Sequence, residues 1–493
     1  MEKKIYLKNS FYSVLNYTLL IILSLLVRKV LILYFPIEYT GYEALFSDIF
    51  TLLSIADMGM ESIITYNLYE QISRDKNSIG SVMELARKLY QMIAMAVLVL
   101  GGVAGVFLPL MFHNEKYDFT LLLTIYIIQV CNLSISYLTG YKRLLLIADQ
   151  KEYICLKWDS KILVFIQISR IFILGIFKNY LLYVGLCIVQ TLLQNIGISR
   201  KCNKEYGKLY DGEKEKGRTK YIIRHDIGNF LCHRISSVIY SATDNVVITA
   251  MLGLATTGLY SNYYMVAKYT YSLATKIMKP MQATIGNYLY SKTSDKDKIV
   301  LLETLNTGAF IFACFICNSL VQLSTPFIII WLGNKYVQDN KLVVLLAINI
   351  FIAINQDFVY YFRNSYGKYE FDKAYMMMSS IVNFGLSVIL SKIWGLSGIV
   401  LATIAGHLFI WYGRVKFVYI EIFKMNMNKY WKNQVKKIGL LCLQLFVTHL
   451  LTRNLGITIQ DCIIREMIVI LFLLVNIFWF FTPRWLKGWY CRH

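Results

Sequence analysis

Apolar runs of about 20 residues recur along almost the whole of this chain, separated by short connections rich in Lys, Arg, Gly and Tyr. Each run is long enough for an α-helix to cross the ~30 Å hydrocarbon core of a bilayer. Fourteen are read, at 9–34, 41–68, 89–112, 118–140, 158–177, 180–199, 227–252, 255–281, 304–325, 342–363, 374–392, 395–413, 436–453 and 463–483. A stretch such as LLLTIYIIQVCNLSISYL is apolar throughout rather than alternating, which is the pattern of a lipid-crossing helix and not of a barrel strand. The basic start MEKKIYLK leads into a run too long for a signal-peptide core and without a small-residue cleavage site, so it is read as the first span. The pattern predicts an all-α polytopic membrane protein with about 14 transmembrane helices.

Landmarks along the runs repeat. Gly41 and Gly258, which open the second and eighth spans, lie 217 residues apart, and so do Pro109 and Pro326, which close the third and ninth. After those prolines the chain reads HNEKYD and LGNKYVQD, and ADQKEY after the fourth span faces SYGKYE after the tenth. An ordered series at one spacing predicts two six-helix lobes related by pseudo-two-fold symmetry, plus two appended C-terminal helices. The expected organisation is a first lobe at 1–200, a basic cytoplasmic linker at 201–226, a second lobe at 227–413, a basic cytoplasmic loop at 414–435, and helices 13 and 14 with a tail at 436–493. A parallel repeat places the cavity between the lobes, with spans 1, 2, 7 and 8 as its walls.

Composition agrees and narrows the partners. The chain is 57% hydrophobic and only 16% charged, against roughly 25% charged in a soluble domain. The net charge of +21 is concentrated in alternate connections. That distribution is the positive-inside pattern and predicts cytoplasmic N- and C-termini rather than a nucleic-acid surface. Its basic residues are expected to contact anionic membrane lipids. Of ten cysteines, Cys314 and Cys317 form the one close pair, on a helical stretch, and are read as packing residues. The three scattered residues His113, His407 and His449 have no ligand set around them, so neither a metal nor a cofactor is expected.

Charges inside apolar spans are costly and therefore informative, at ~2.5 to 3.5 kcal/mol near the bilayer centre. They gather in spans 1, 2, 7 and 8: Arg28, Lys29, Asp48, Asp57, Glu61, His233, Arg234, Asp244, Lys268, Lys276 and Lys279. On span 8, Tyr264, Lys268, Tyr271, Thr275 and Lys279 recur at helical spacing and are expected to share a face. Lys276 and Lys279 lie close enough to the inner end to snorkel; Lys268 does not. Arg28 and Asp48 are level in depth and placed to pair. Asp57 and Glu61, four apart, are expected on one face, and with Asp48 and Asp244 are the candidates for coupling or charge pairing. Arg28, Arg234, Lys268, Tyr264 and Tyr271 are the candidates for substrate contact, because guanidinium and ammonium groups match phosphate oxygens and aromatic faces suit sugars.

Three stretches carry a family resemblance. SATDNVVITAMLGLATTGLYSNYYMV, Ser241 to Val266, resembles the seventh-to-eighth helix signature of Wzx-like oligosaccharide flippases in the multidrug/oligosaccharidyl-lipid/polysaccharide exporter superfamily. GYEALFSDIFTLLSIADMGMESIITYNLYE resembles that family's second helix, and DFVYYFRNSYGKYEFDKAYMMMSSIVNFGLSVILSKIWGLSGIVLAT its tenth-to-twelfth region. The resemblance spans most of residues 9–435; Asp48 departs from it, since relatives often carry Asn there. It implies a non-enzymatic transporter of the bacterial plasma membrane. The expected cargo is a polyprenyl-pyrophosphate-linked oligosaccharide, moved from the inner to the outer leaflet by alternating access, with a polysaccharide polymerase and other glycan-assembly proteins as partners. Related lipid flippases hold cations on helices 1, 2 and 8, the helices of Arg28 and Lys268. A cation-coupled drug antiporter of the same superfamily and a membrane polysaccharide polymerase are the competing readings. The basic excess opposes the first, and outer connections of no more than ~15 residues oppose the second.

Overall fold

A computed structural model describes residues 2–57, 59–74, 79–111, 118–207, 238, 242–290, 294–366 and 373–490. All regular structure among them is helical: α1 Glu2–Tyr34, α2 Glu38–Leu53, α3 Met60–Arg74, α4 Ile79–Met111, α5 Phe119–Gly140, α6 Arg143–Ala148, α7 Glu152–Phe172 and α8 Tyr180–Tyr206. After the gap follow α9 Asp244–Leu252, α10 Leu254–Met278, α11 Met281–Leu289, α12 Asp295–Trp331, α13 Asn340–Ser365, α14 Lys373–Lys416, α15 Asn428–Thr452 and α16 Ile459–Tyr490.

Several starts are written in the sequence. Asp118, Asn179, Ser294 and Asp339 each precede an apolar run, and each side chain accepts a backbone N–H of the first turn of α5, α8, α12 and α13. These caps satisfy donors that a helix otherwise leaves without partners.

Ten helices among the described residues are long and apolar enough to span a membrane. One of the ten is two. α14 has 44 residues, but Gly395 breaks it with φ 56° and ψ −134°, a conformation open to glycine. Beyond the break the chain folds back, so that Ser379 Oγ donates to the Gly406 carbonyl at 2.9 Å and Asn383 Nδ2 to Thr403 Oγ1 at 3.1 Å. α2 with α3, α9 and α10 fall short by composition or by length, since α9 is described only from Asp244. Counting these, the described helices accord with about 14 spans, the predicted span at 227–252 lying mostly outside the described residues, and the protein is an all-α polytopic membrane protein.

The chain divides into two compact units, Met1–Gly258 and Leu259–His493. In the first, α7 packs on α1, α5 on α4 and α8, α3 on α6, and α9 on α2. Its apolar interior has two parts, one around Ile64, Leu68, Ala86, Leu145 and Cys155, the other around Leu31, Leu45, Phe46, Ile125 and Leu254. In the second unit α13 is the central helix. Its most apolar window is 83% buried, against 11% for α16, so α13 is core and α16 presents its apolar surface to lipid.

Several helices start ahead of the predicted spans, α4 at Ile79 rather than 89, α12 at Asp295 rather than 304 and α15 at Asn428 rather than 436, and two further details differ from the sequence reading. The second span is not one helix: α2 ends in a 3-10 turn at Ser54–Asp57, and Gly59 turns the chain with φ 73° before α3. α10 stops at Met278, one residue short of Lys279, because Pro280 follows.

Candidate functional site

In the first unit Arg28, Asp48 and Asp57 serve helix junctions and turns, while Lys29 and Glu61 are exposed. Arg28, buried on α1, places Nη2 3.3 Å from Glu43 Oε2 on α2. Glu43 also accepts the Tyr183 hydroxyl of α8, and the Arg170 guanidinium lies over the Tyr183 ring at 5.4 Å. A desolvated cation is thus matched by a carboxylate that a phenol holds in place. Glu43 had escaped notice because it sits in the first turns of its span, where a charge reads as a boundary.

Asp48, buried on α2, accepts the backbone N–H of Asn245 at 3.0 Å. Thr243 precedes α9 without capping it, so Asp48 supplies from another helix the acceptor and the negative charge that an N-terminus attracts. Asp244 is half-buried in the same first turn.

Asp57 and Glu61 do not lie along one continuous helix face, because the turn at Ser54–Gly59 intervenes. Asp57 Oδ1 accepts the Gly59 N–H at 2.8 Å and Oδ2 the Tyr137 hydroxyl at 3.3 Å, so it stabilises the turn, while Glu61 is exposed on α3. Arg234 and His233 lie outside the described residues.

In the second unit the α10 stripe is present. Tyr264 stacks on Tyr260 at 5.6 Å, and Lys268 Nζ stands 6.0 Å from the Tyr264 ring centre. Lys268 is exposed one turn below. One turn further, the Tyr271 hydroxyl points at Asp357 Oδ1, 3.5 Å away on α13.

Asp357 opens a polar group that the sequence reading had passed over. It is 5% exposed, and its Oδ2 has no hydrogen-bond partner. Beside it, Gln356 accepts from Arg414 Nη1 at 3.2 Å, and the same guanidinium lies 4.4 Å from the Tyr360 ring centre. Higher on α13, Asn349 meets His407 Nδ1 at 2.6 Å. A buried carboxylate with one open oxygen, a phenol and a guanidinium nearby can take up a proton or a small cation at modest rearrangement. The one carboxylate of that span, next to Asn355 and Gln356, was a signal available in the sequence. Arg414 was not, because it follows the last apolar residue and reads as a loop charge.

No protein-family model matches this chain. No curated protein matches it by sequence either. Solved structures do. The lipid II flippase MurJ in an inward-closed conformation is similar with a TM-score of 0.68 at 15% identity, over 96% of this chain and 99% of that one. An inward-facing multidrug resistance MATE transporter of the MOP superfamily is similar with a TM-score of 0.65 at 11% identity, over 81% of this chain and 94% of its own. A MOP superfamily transporter from Pyrococcus furiosus, described as having a binding pocket of reversed polarity, follows at 0.58 and 12%, over 84% and 95%. At these identities the likeness is one of fold: this chain has the fold of the MOP superfamily transporters.

Proposed function

We propose that this protein is a flippase. It carries a polyprenyl-pyrophosphate-linked oligosaccharide from the inner to the outer leaflet of the bacterial plasma membrane, by alternating access and with both termini cytoplasmic. The observation that carries the reading is the extent of the structural likeness. The lipid-linked flippase covers 96% of this chain, the multidrug transporter 81%. A shortfall of that size is what two further helices such as α15 and α16 amount to. The basic balance of the chain supports an anionic cargo over a cationic drug.

In this reading Lys268, Tyr264 and Tyr271 on α10 meet the pyrophosphate and the sugars, the cations Arg28 and Arg234 being further phosphate contacts to test. Asp357, with Tyr271 against it, is the carboxylate that takes up the coupling proton or cation; Asp48, Asp57 and Asp244 hold helix ends and turns. A polysaccharide polymerase on the outer face receives the cargo.

The test is a cell in which this chain is the sole transporter for its surface glycan. Its depletion is expected to trap lipid-linked precursor on the inner leaflet, and Lys268→Ala to do the same at unchanged membrane abundance. Normal surface glycan on depletion, accompanied by altered resistance to cationic drugs, would replace the proposal with the antiporter.

A further inference from the structure

A second site stands apart from the α10 stripe, at the basic end of α15. There a pocket of about 380 Å³ opens between α12, α15, α16 and the π-helical turn Phe417–Ile422. Its walls include Glu303, Asn306, Tyr430, Lys436, Lys437 and Trp479. We propose that this pocket binds the headgroup of an anionic, hydroxyl-bearing phospholipid of the surrounding bilayer.

The strongest observation is Asn306. Its side chain is 3% exposed and lines the pocket, and its polar neighbour is the Tyr419 hydroxyl, which meets it without good hydrogen-bond geometry, so the amide is under-satisfied. A buried amide in that state carries a desolvation penalty, so a ligand that supplies both an acceptor and a donor relieves it. A phosphodiester oxygen accepts from Nδ2, and a neighbouring hydroxyl donates to Oδ1.

Charge selects the phosphate. Lys429, Lys432, Lys436 and Lys437 follow one another on one flank of the first turns of α15. Glu303, the one carboxylate on the wall, lies 3.7 Å from Lys429 Nζ and is answered by it. Lys437 lies over the Phe310 ring at 5.2 Å with its Nζ 3.5 Å from the Asn306 carbonyl, so its ammonium is held at the pocket wall. Lys436 is exposed beside it. An amine-bearing zwitterionic head would set a third cation against these two.

The rim selects a lipid over a soluble phosphate ester. Trp479 is 72% exposed and Phe478 beside it 70%, on the helix that presents its apolar surface outward. Indole rings so placed mark the depth of the membrane interface. A phosphate in this pocket therefore sits at headgroup level, with its chains free to run down α16.

The experiment is native mass spectrometry of the full chain released from micelles containing phosphatidylglycerol or phosphatidylcholine of the same acyl composition. The expected result is retention of phosphatidylglycerol about 10-fold above phosphatidylcholine. That preference should fall to within about twofold in Lys436→Gln/Lys437→Gln and drop clearly in Asn306→Leu, with Lys429→Gln/Lys432→Gln affected far less. Equal retention of the two lipids by the unaltered protein overturns the proposal. So does an equal loss in the two lysine pairs, which would mean a diffuse basic surface. Displacement of the lipid by glycerol phosphate at comparable concentration would reassign the pocket to a soluble ester. None of these outcomes depends on which glycan, if any, the chain transports.

Discussion

Gly41 on α2 packs against Leu254 at the start of α10 so closely that a Cβ on the glycine would lie 2.3 Å from the leucine carbonyl oxygen. The contact is reciprocated. A Cβ on Gly258 would lie 2.4 Å from the carbonyl oxygen of Ile37, four residues before Gly41 as Leu254 is four before Gly258. Thr40 and Thr257, each preceding its glycine, are fully buried and turn their hydroxyls back onto the Ile37 and Gly253 carbonyls at 2.7 and 3.1 Å. Two segments at the 217-residue spacing thus cross with a local two-fold relationship, backbone against backbone, as small residues permit in membranes.

Alanine at either glycine forces those backbones apart. Gly41→Ala and Gly258→Ala are each expected to cost ~1 to 3 kcal/mol, and because they open one shared crossing the pair should be less than additive. Gly102 has open space around its Cα, and Gly102→Ala should be neutral or stabilising by a few tenths. Thermal unfolding of the micelle-purified protein reads all four; an unperturbed Gly41→Ala would mean the crossing is not tightly made.

Asp48 works through an acceptor oxygen, which asparagine also has. Asp48→Asn is therefore expected to keep the α9 cap with a loss of a few tenths of a kcal/mol, and Asp48→Ala to lose ~1 kcal/mol or more. Equal loss in both variants would point instead to a role for the charge.

The Arg28 and Glu43 pair separates structure from transport. Arg28→Met alone leaves the half-buried Glu43 with the Tyr183 hydroxyl but without its cation and should cost ~1 to 2 kcal/mol; Arg28→Met with Glu43→Met should recover most of that. If Arg28 contacts the cargo phosphate, precursor export stays defective in the stable double variant. Export restored together with stability would confine Arg28 to the helix junction.

Lys268 and Asp357 should differ in what they disturb. Lys268 is exposed, so Lys268→Gln is expected to lower export at least tenfold with unfolding unchanged within ~0.5 kcal/mol, and Lys268→Arg to retain part of it. Asp357→Asn keeps the volume and removes the titrating group. Its export should lose dependence on the proton or cation gradient while cargo binding persists, which a transport assay in vesicles with imposed gradients measures.

Outside the spans, Lys151 ties the turn before α7 to the end of α8, with Asp149 at 2.9 Å, Glu205 at 2.5 Å and the Tyr206 hydroxyl at 3.1 Å. Desolvation alone would lower its affinity for a proton, but the hydrogen bonds it donates to Glu205, Asp149 and Tyr206 outweigh it and raise its pKa. A raised lysine pKa contributes stability below the unfolded value and loses it only as pH rises through the folded one. The contribution, ~1 kcal/mol for so solvated a network, should therefore be constant from pH 6 to 9, and Lys151→Met should cost the same at both. A cost that changes within that window would place another titrating group in the network.

The amino-acid sequence by itself determined that this protein lives in lipid, about how many times it crosses, and that two halves repeat. The reason is that each rests on local chemistry: apolar length against bilayer thickness, glycines at one offset. The division of labour among the charges was decided only by tertiary structure. Arg28 and Asp48 lie level in the sequence reading, yet Arg28 meets Glu43 and Asp48 caps α9, because which carboxylate reaches a guanidinium depends on how helices cross and not on depth. Asp57 and Glu61 share a helical spacing that a turn at Gly59 cancels, and Asp357 gained its meaning only when α10 brought Tyr271 against it. Burial, partner and direction are properties of packing, and no spacing along one chain contains them.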